Sequence, residues 1–276
     1  MHLRQGGMVL AELVVAATLT VLVVGLALGG LVGLQRGVAH HAERVALQNG
    51  LRAAAHLART ELRDAGIGAG GDLISFSPTS IVYRAVRGTG LSCGQDAGSL
   101  LVSSASLRAI RLPSPGRDSV LVLIGADARP DSIRWVILPL MAAPRSAVCA
   151  DGAPALALPM APADIAVAGI RTPVRIVELM ELRLYRSGPS WWLGLRSVSG
   201  GETIQPAAGP FDADGVTFRF LDPAGTETLV PGDVVSVEMR QRGQTATEQG
   251  AGAAASGGLS TRDSLVLLIP LRNADR

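Results

Sequence analysis

Residues 7–34, GMVLAELVVAATLTVLVVGLALGGLVGL, hold one ionisable side chain, that of Glu12, in an otherwise apolar run. As a helix rising about 1.5 Å per residue, Met8–Leu34 would extend roughly 40 Å, enough to cross a bilayer. A carboxylate inside such a run costs roughly 2.5–3.5 kcal/mol on insertion scales, so it implies a specific partner. A secretory signal fits poorly: its apolar core spans about 7–15 residues and ends at a small-residue cleavage site. This run is longer and ends at Gln35-Arg36. Arg4 is the only arginine or lysine ahead of it. It favours an amino terminus on the cytoplasmic side, with the remaining chain beyond the membrane.

The inventory of chemical groups narrows function more than the net charge of +2 over 276 residues. That balance does not point to nucleic acid. All 25 basic side chains are arginine, and no lysine occurs. A Walker A loop, a Schiff-base lysine and a Ser-Lys dyad are therefore excluded. The histidines are His2, His40, His41 and His56, and none follows Ile67. A Ser-His-Asp triad or an H-E-x-x-H zinc site cannot be built beyond that point. Carboxylate pairs are the remaining catalytic chemistry, and no D-[ST]-G signature accompanies them. No metal site and no cofactor is expected. Cys93 and Cys149 are either one disulfide in an oxidising compartment or two buried thiols.

Residues 36–66 continue the helix in amphipathic form. Leu47, Leu51, Ala54, Ala58, Leu62 and Ala65 recur at three- and four-residue steps and predict one buried face. Arg44, Gln48, Arg52, His56, Arg59 and Arg63 form a mostly basic stripe, either solvated or set against acidic groups of a neighbour. Gly66, Gly68, Gly70 and Gly71 are expected to stop the helix, with Gly66 as a left-handed cap. Five glycines from Gly25 to Gly37 weaken the apolar half, and Gly29 and Gly33 form a G-x-x-x-G pair suited to close helix packing.

Residues 67–276 read as a β-rich region with more than one sheet. Apolar β-branched or alternating runs predict strands at 81–86, 119–124, 133–138, 174–185, 216–221, 234–240 and 265–271. Residues 139–162 look irregular, and the Gly-, Ala- and Ser-rich 243–260 reads as a flexible loop. Asp212-Ala-Asp-Gly215 is either a plain β-turn or a fragment of a calcium loop, and the turn is the simpler account because the further carboxylates of an EF-hand are missing. Trp191-Trp192 is either an exposed adhesive patch or part of a packed strand.

A short polar leader ending in Gly7, then Met8, Glu12 and the long apolar run, resembles the amino terminus of the type IV pilin and type II secretion pseudopilin superfamily. The resemblance implies cleavage between Gly7 and Met8 by a prepilin peptidase and N-methylation of Met8. It also implies pairing of Glu12 with the Met8 amine of a neighbouring subunit during assembly. Members most often carry Phe after the cut, so Met8 is a departure. Leu57-Ala-Arg-Thr-Glu-Leu-Arg-Asp-Ala-Gly-Ile-Gly68 is similar to the end of the first helix in PilW-like minor pilins and J-type pseudopilins. Glu181–Arg186, Trp191–Arg196, Asp214–Phe220 and Val266–Asn273 extend the likeness. Residues 87–175 carry none.

The resemblance implies an α+β, pilin-like fold: a long helix, half in the membrane and half packed on a β-rich head. The expected divisions are a leader at 1–7, a transmembrane half at 8–35, an amphipathic half at 36–66 and a head at 67–276. The implied function is a minor pilin that initiates pilus assembly near the filament tip. Its partners would be the peptidase, other pilins or pseudopilins, the inner-membrane assembly platform and lipid. The expected location is the inner membrane in a single pass, with the head periplasmic or extracellular and the chain drawn into a filament. Alternatives are a type II secretion pseudopilin, a DNA-uptake minor pilin and a membrane-anchored envelope enzyme.

Overall fold

In a computed structural model of the chain, the residues described are 6–66, 71–124, 134–161, 169–244 and 262–272. The chain divides into two compact units, one of residues 1–49 with 245–261, the other of 50–244 with 262–276. Helix α1, Gly6–Leu62, runs unbroken for 57 residues, about 85 Å at the usual rise. No proline interrupts it, and Leu, Ala and Val dominate its sequence, with Leu and Ala offsetting the cost of its glycines. Within the first unit the helix is apolar all round from Leu13 to Leu34, where its side chains are exposed. Among the described residues it is the one helix long and apolar enough to cross a membrane, with a mean hydropathy of 2.4 over its most apolar window.

In the second unit Leu51, Ala54, Ala58, Leu62 and Ala65 are all buried, while Arg52, His56, Arg59 and Arg63 are exposed. The helix therefore presents the stripe of apolar side chains that its sequence period dictates. Its end differs from expectation. The last turn closes with Arg63 N–H donating to Arg59 O, and Gly66 does not adopt a left-handed conformation. Asp72 does the capping instead. Its Oδ2 accepts from Gly66 N–H at 2.7 Å, and its own N–H donates to Gly66 O at 2.9 Å. Gly68 and Gly70 lie outside the described residues.

The β elements are β1 (Leu73–Ser77), β2 (Ser80–Asp96), β3 (Ser99–Ser103), β4 (Arg108–Ala109), β5 (Asp118–Ile124), β6 (Arg134–Pro139) and β7 (Arg145–Val148). They continue with β8 (Pro154–Pro159), β9 (Pro173–Ser187), β10 (Ser190–Ser197), β11 (Gln205–Phe211), β12 (Val216–Leu221), β13 (Ser236–Gln244) and β14 (Arg262–Pro270). The molecule is thus α+β. The first eleven strands form one antiparallel sheet along the path β11-β10-β9-β2-β3-β8-β7. Off this path, β1 and β4 pair with β2, β5 with β9, and β6 with β5. Strands β12, β13 and β14 form a second sheet.

Strand β9 is central, pairing with β2, β5 and β10, and it is buried along most of its length. This explains why apolar residues occupy adjacent positions in VRIVELMELRL, as at Ile176-Val177 and Leu179-Met180, in place of simple alternation. Arg175, Glu178 and Glu181 are buried among them. One core cluster gathers Leu100, Val102, Val120, Val122, Leu158 and Val174 from β3, β5, β8 and β9. The two sheets meet where the Phe76 and Phe220 rings stack 3.8 Å apart and Phe218 N–H donates to Pro78 O.

Three expectations change. Residues 139–162 are not irregular throughout, because β7 and β8 lie within them. Prolines sit at the first and last positions of β8, where no ladder hydrogen bond is lost inside the strand. Strand β13 reaches Gln244, so Gly243 and Gln244 are in a strand rather than the expected loop at 243–260, and 245–261 lies outside the described residues. The sequence-read strand at 133–138 is seen from Arg134, Ile133 being outside them.

Candidate functional site

Two groups of residues have a chemistry that the core does not explain. The first is at the start of α1. Gly7 and Met8 fall in its first turn, and Glu12 follows Met8 by about one turn. Glu12 is exposed, flanked by Ala11, Val15, Ala16 and Leu19, which line a shallow groove with it. Thr18 and Thr20 bond back to the carbonyls of Val15 and Ala16, so their hydroxyls offer Glu12 nothing. Glu12 is an anionic acceptor on an apolar surface. In hydrocarbon it would need a cation supplied from elsewhere.

The second group surrounds Glu178 on β9, whose side chain is 2 % exposed. Oε2 accepts from Arg87 Nε at 2.9 Å and Arg111 Nη2 at 3.2 Å, and Oε1 accepts from Arg117 Nε at 2.5 Å. Arg111 also grips Asp118 with both terminal nitrogens, at 2.6 and 2.8 Å. Arg117 reaches Glu202 at 2.8 Å. Arg87 connects the cluster to α1 through Glu61 at 3.3 Å, and the Tyr83 hydroxyl donates to the same carboxylate at 2.8 Å.

Burial pushes the Glu178 carboxyl upward, but hydrogen bonds from Ser197, Arg87, Arg111 and Arg117 outweigh it and bring the pKa down to about 2. The Tyr83 phenol is raised well above its ordinary value, first by burial and then by the Glu61 charge. A carboxylate so fixed in its ionised form cannot donate a proton near neutrality. The cluster binds α1, β2, β5, β9 and the loops at 110–117 and 197–202 into one body, as buried charges must be paired to be tolerated.

Cys93 and Cys149 are joined by a disulfide with Cα atoms 5.6 Å apart, tying β2 to the turn after β7. Ala147, Ala153, Ala155, Ala157 and Leu101 pack around it. Asp212–Gly215 is a β-turn in which Gly215 N–H donates to Asp212 O at 2.9 Å, and Asp214 pairs with Arg242. A Cβ on Gly215 would lie 2.5 Å from Arg242 O, so the turn tolerates no side chain there. Trp191 and Trp192 are half-buried in β10, opposite Arg186 and Tyr185 of β9. No group of three or more metal-ligating side chains occurs among the described residues.

Gly7, Met8 and Glu12 belong to one unit, and Cys93 and Cys149 to the other. Sequence reasoning passed over the Glu178 cluster entirely. A signal was present: Glu178, with Arg175, Glu181 and Arg183, is a charged residue set among the apolar residues of β9, and buried charges there require partners. No family model, no curated protein and no solved structure matches the chain.

Proposed function

We propose that the chain is a type IV minor pilin, processed after Gly7 and held in the inner membrane by the apolar half of α1. It joins other pilins in priming a filament and resides near the tip. The observation that carries this reading is the joint placement of Glu12 and the apolar run in one continuous 57-residue helix. The last part of that helix, from Gly50, is built into a β-rich unit that contains a disulfide. A helix apolar on every face suits a lipid or helix-packed environment, and an isolated carboxylate within it suits pairing with an amine brought by another subunit. The disulfide supports an oxidising compartment for the β-rich unit. The ionised, fully paired Glu178 favours a scaffold role for its buried charge cluster over catalysis.

The deciding experiment is the amino-terminal mass of the protein from native membranes. A chain beginning at methylated Met8 is expected. A chain retaining Gly7 and the residues before it would make Glu12 an incidental charge in a plain anchor. Genes for a pilus or a secretion system beside this one would separate the minor pilin from a secretion pseudopilin.

A further inference from the structure

Strands β2, β3, β8 and β7 lie side by side in that order. Neighbouring strands are about 4.8 Å apart, so in a flat sheet β2 and β7 would be separated by roughly 14 Å. Cys93 of β2 and Cys149, directly after β7, have Cα atoms only 5.6 Å apart. This part of the sheet is therefore curled until its first and last strands meet. Cys93 sits at a bulge in β2, between the pairs Ser92–Val102 and Gly94–Leu101, and a bulge increases local twist.

The two faces of the curl carry different residues. On one, Leu100, Val102 and Leu158 join Val120, Val122 and Val174 in the main core. On the other, Leu101, Ala155 and Ala157 pack with Ala147, Ala153 and the disulfide, and the alanines are small enough for the strands to close there. Where β7 meets β2, no backbone ladder joins them among the described residues, since β7 pairs with β8 alone. None of the four side chains of β7, Arg145–Val148, is buried. Arg145 reaches across to Ser99 Oγ at 3.4 Å and to Asp96 at 4.0 Å, but both charged side chains are more than half exposed, so this contact contributes little.

We propose that the Cys93–Cys149 bond is a redox latch, holding β7 and the turn at 149–153 closed against β2 and releasing them when a dithiol reduces it. In that step a thiolate of the dithiol attacks one sulfur of the bridge and the Cys93–Cys149 bond breaks. The second thiol of the reductant then displaces the mixed disulfide. Both cysteines end as thiols, having gained two electrons and two protons, and the dithiol leaves as a disulfide. Cys93 is half-buried and Val148 is exposed, so the bridge lies near the surface. Strands β3 and β8 stay in place, because their other face belongs to the main core. The opening is local, as expected of a segment with few buried contacts.

The test uses the full-length chain in detergent, oxidised or treated with dithiothreitol, and reads amide hydrogen exchange. In the oxidised chain Cys149 N–H donates to Ala153 O at 2.8 Å. After reduction this amide and those of Arg145–Val148 should exchange about tenfold or more faster, and tryptic cleavage after Arg145 should rise with them. Peptides covering 120–122 and 176–184 should stay within about twofold of the oxidised chain. Cys93→Ala with Cys149→Ala should reproduce the reduced pattern without reductant, and oxidised dithiothreitol should restore slow exchange to the parent. Slow exchange at β7 in both the reduced chain and the double variant overturns the latch, since its ladder to β8 would then suffice. Equal acceleration in β5 and β9, or a double variant that does not fold, overturns it in the other direction, by making the bond a staple of the whole unit.

Discussion

From Leu13 to Leu34 the large apolar side chains of α1 are 42–72 % exposed, while Leu51, Ala54, Ala58, Leu62 and Ala65 are at most 3 % exposed. The two sets lie along α1 and the turn that ends it, and both draw on Leu and Ala. They differ in pattern: the first is apolar on every face, the second on one stripe. A stripe can be satisfied by one sheet of the same chain, whereas an all-round apolar surface needs an apolar surrounding. The difference therefore separates what the chain buries by folding from what it leaves for lipid or other helices to bury.

The comparison breaks most sharply under a buried charge. Leu62 is fully buried, so Leu62→Asp places an unpaired carboxylate in the core and should cost about 4–5 kcal/mol or more. Near-ultraviolet circular dichroism in detergent, which reads Trp135, Trp191 and Trp192, should show tertiary structure lost. Leu22→Asp, at an exposed position, should leave that signal intact and instead lower the membrane-bound fraction, by about 2.5–3.5 kcal/mol on insertion scales. Equal loss of tertiary signal in both variants would mean that the two stretches do not serve different surroundings.

The next largest effect comes from the charge cluster that holds the second stretch in place. Glu178→Gln removes the anion shared by three arginines and should cost about 3–5 kcal/mol, read from urea unfolding, with membrane retention unchanged. The folded carboxyl, at about 2, lies below its ordinary 4.5. Its stabilising contribution is therefore complete above about pH 5 and fades as the pH falls toward about 2. Unfolding midpoints measured across that window should fall less steeply in Glu178→Gln than in the parent. Parallel acid limbs would remove Glu178 from the account.

How far the fold was legible follows the range of the interactions that made it. The helix face at 47–65 and strands such as 216–221 obey a local period, and they lie where the sequence puts them. Strand β8, PALALP, has little β-branching and a proline at each end, so its composition reads as a loop. It is a strand because β3 and β7 flank it and small alanines fit around the disulfide. Strand β11 carries Pro206 and Pro210 for a different reason: it lies at the sheet edge, where a missing N–H donor is tolerated. The meeting of Glu61, Arg87, Arg111, Arg117 and Glu178 depends on tertiary placement across 117 residues of chain, which no local pattern encodes, whereas the cap of α1 by Asp72 spans only six residues beyond Gly66.

The disulfide tests a smaller part of the same division. Cys93 and Cys149 are 56 residues apart in sequence, and Cys93→Ser with Cys149→Ser should cost about 2–4 kcal/mol. The loss should appear in the unfolding midpoint of the β-rich unit, with the membrane-bound fraction unaltered. An unchanged midpoint would mean that the alanine-lined core around the bond holds without it.

The finest probe is one hydroxyl. Tyr83 is fully buried, and its Oη donates to Glu61 Oε2 at 2.8 Å, joining β2 to the buried stretch of α1. Tyr83→Phe keeps the ring and removes the donor. Glu61 retains Arg87, at 3.3 Å, so it is not left unpaired and the full penalty of an orphaned buried charge is not incurred. The expected loss is that of one hydrogen bond to a charged group, about 1.5–3 kcal/mol, at the lower end because the arginine remains. Arg87 divides its hydrogen bonds between Glu61 and Glu178, so the phenol and Glu178 act on one network. Combining Tyr83→Phe with Glu178→Gln should therefore cost a different amount from the sum of the two, by at least about 0.5 kcal/mol. Strict additivity would show that the helix is held by its apolar stripe alone and that the charge cluster stabilises the sheet independently of it.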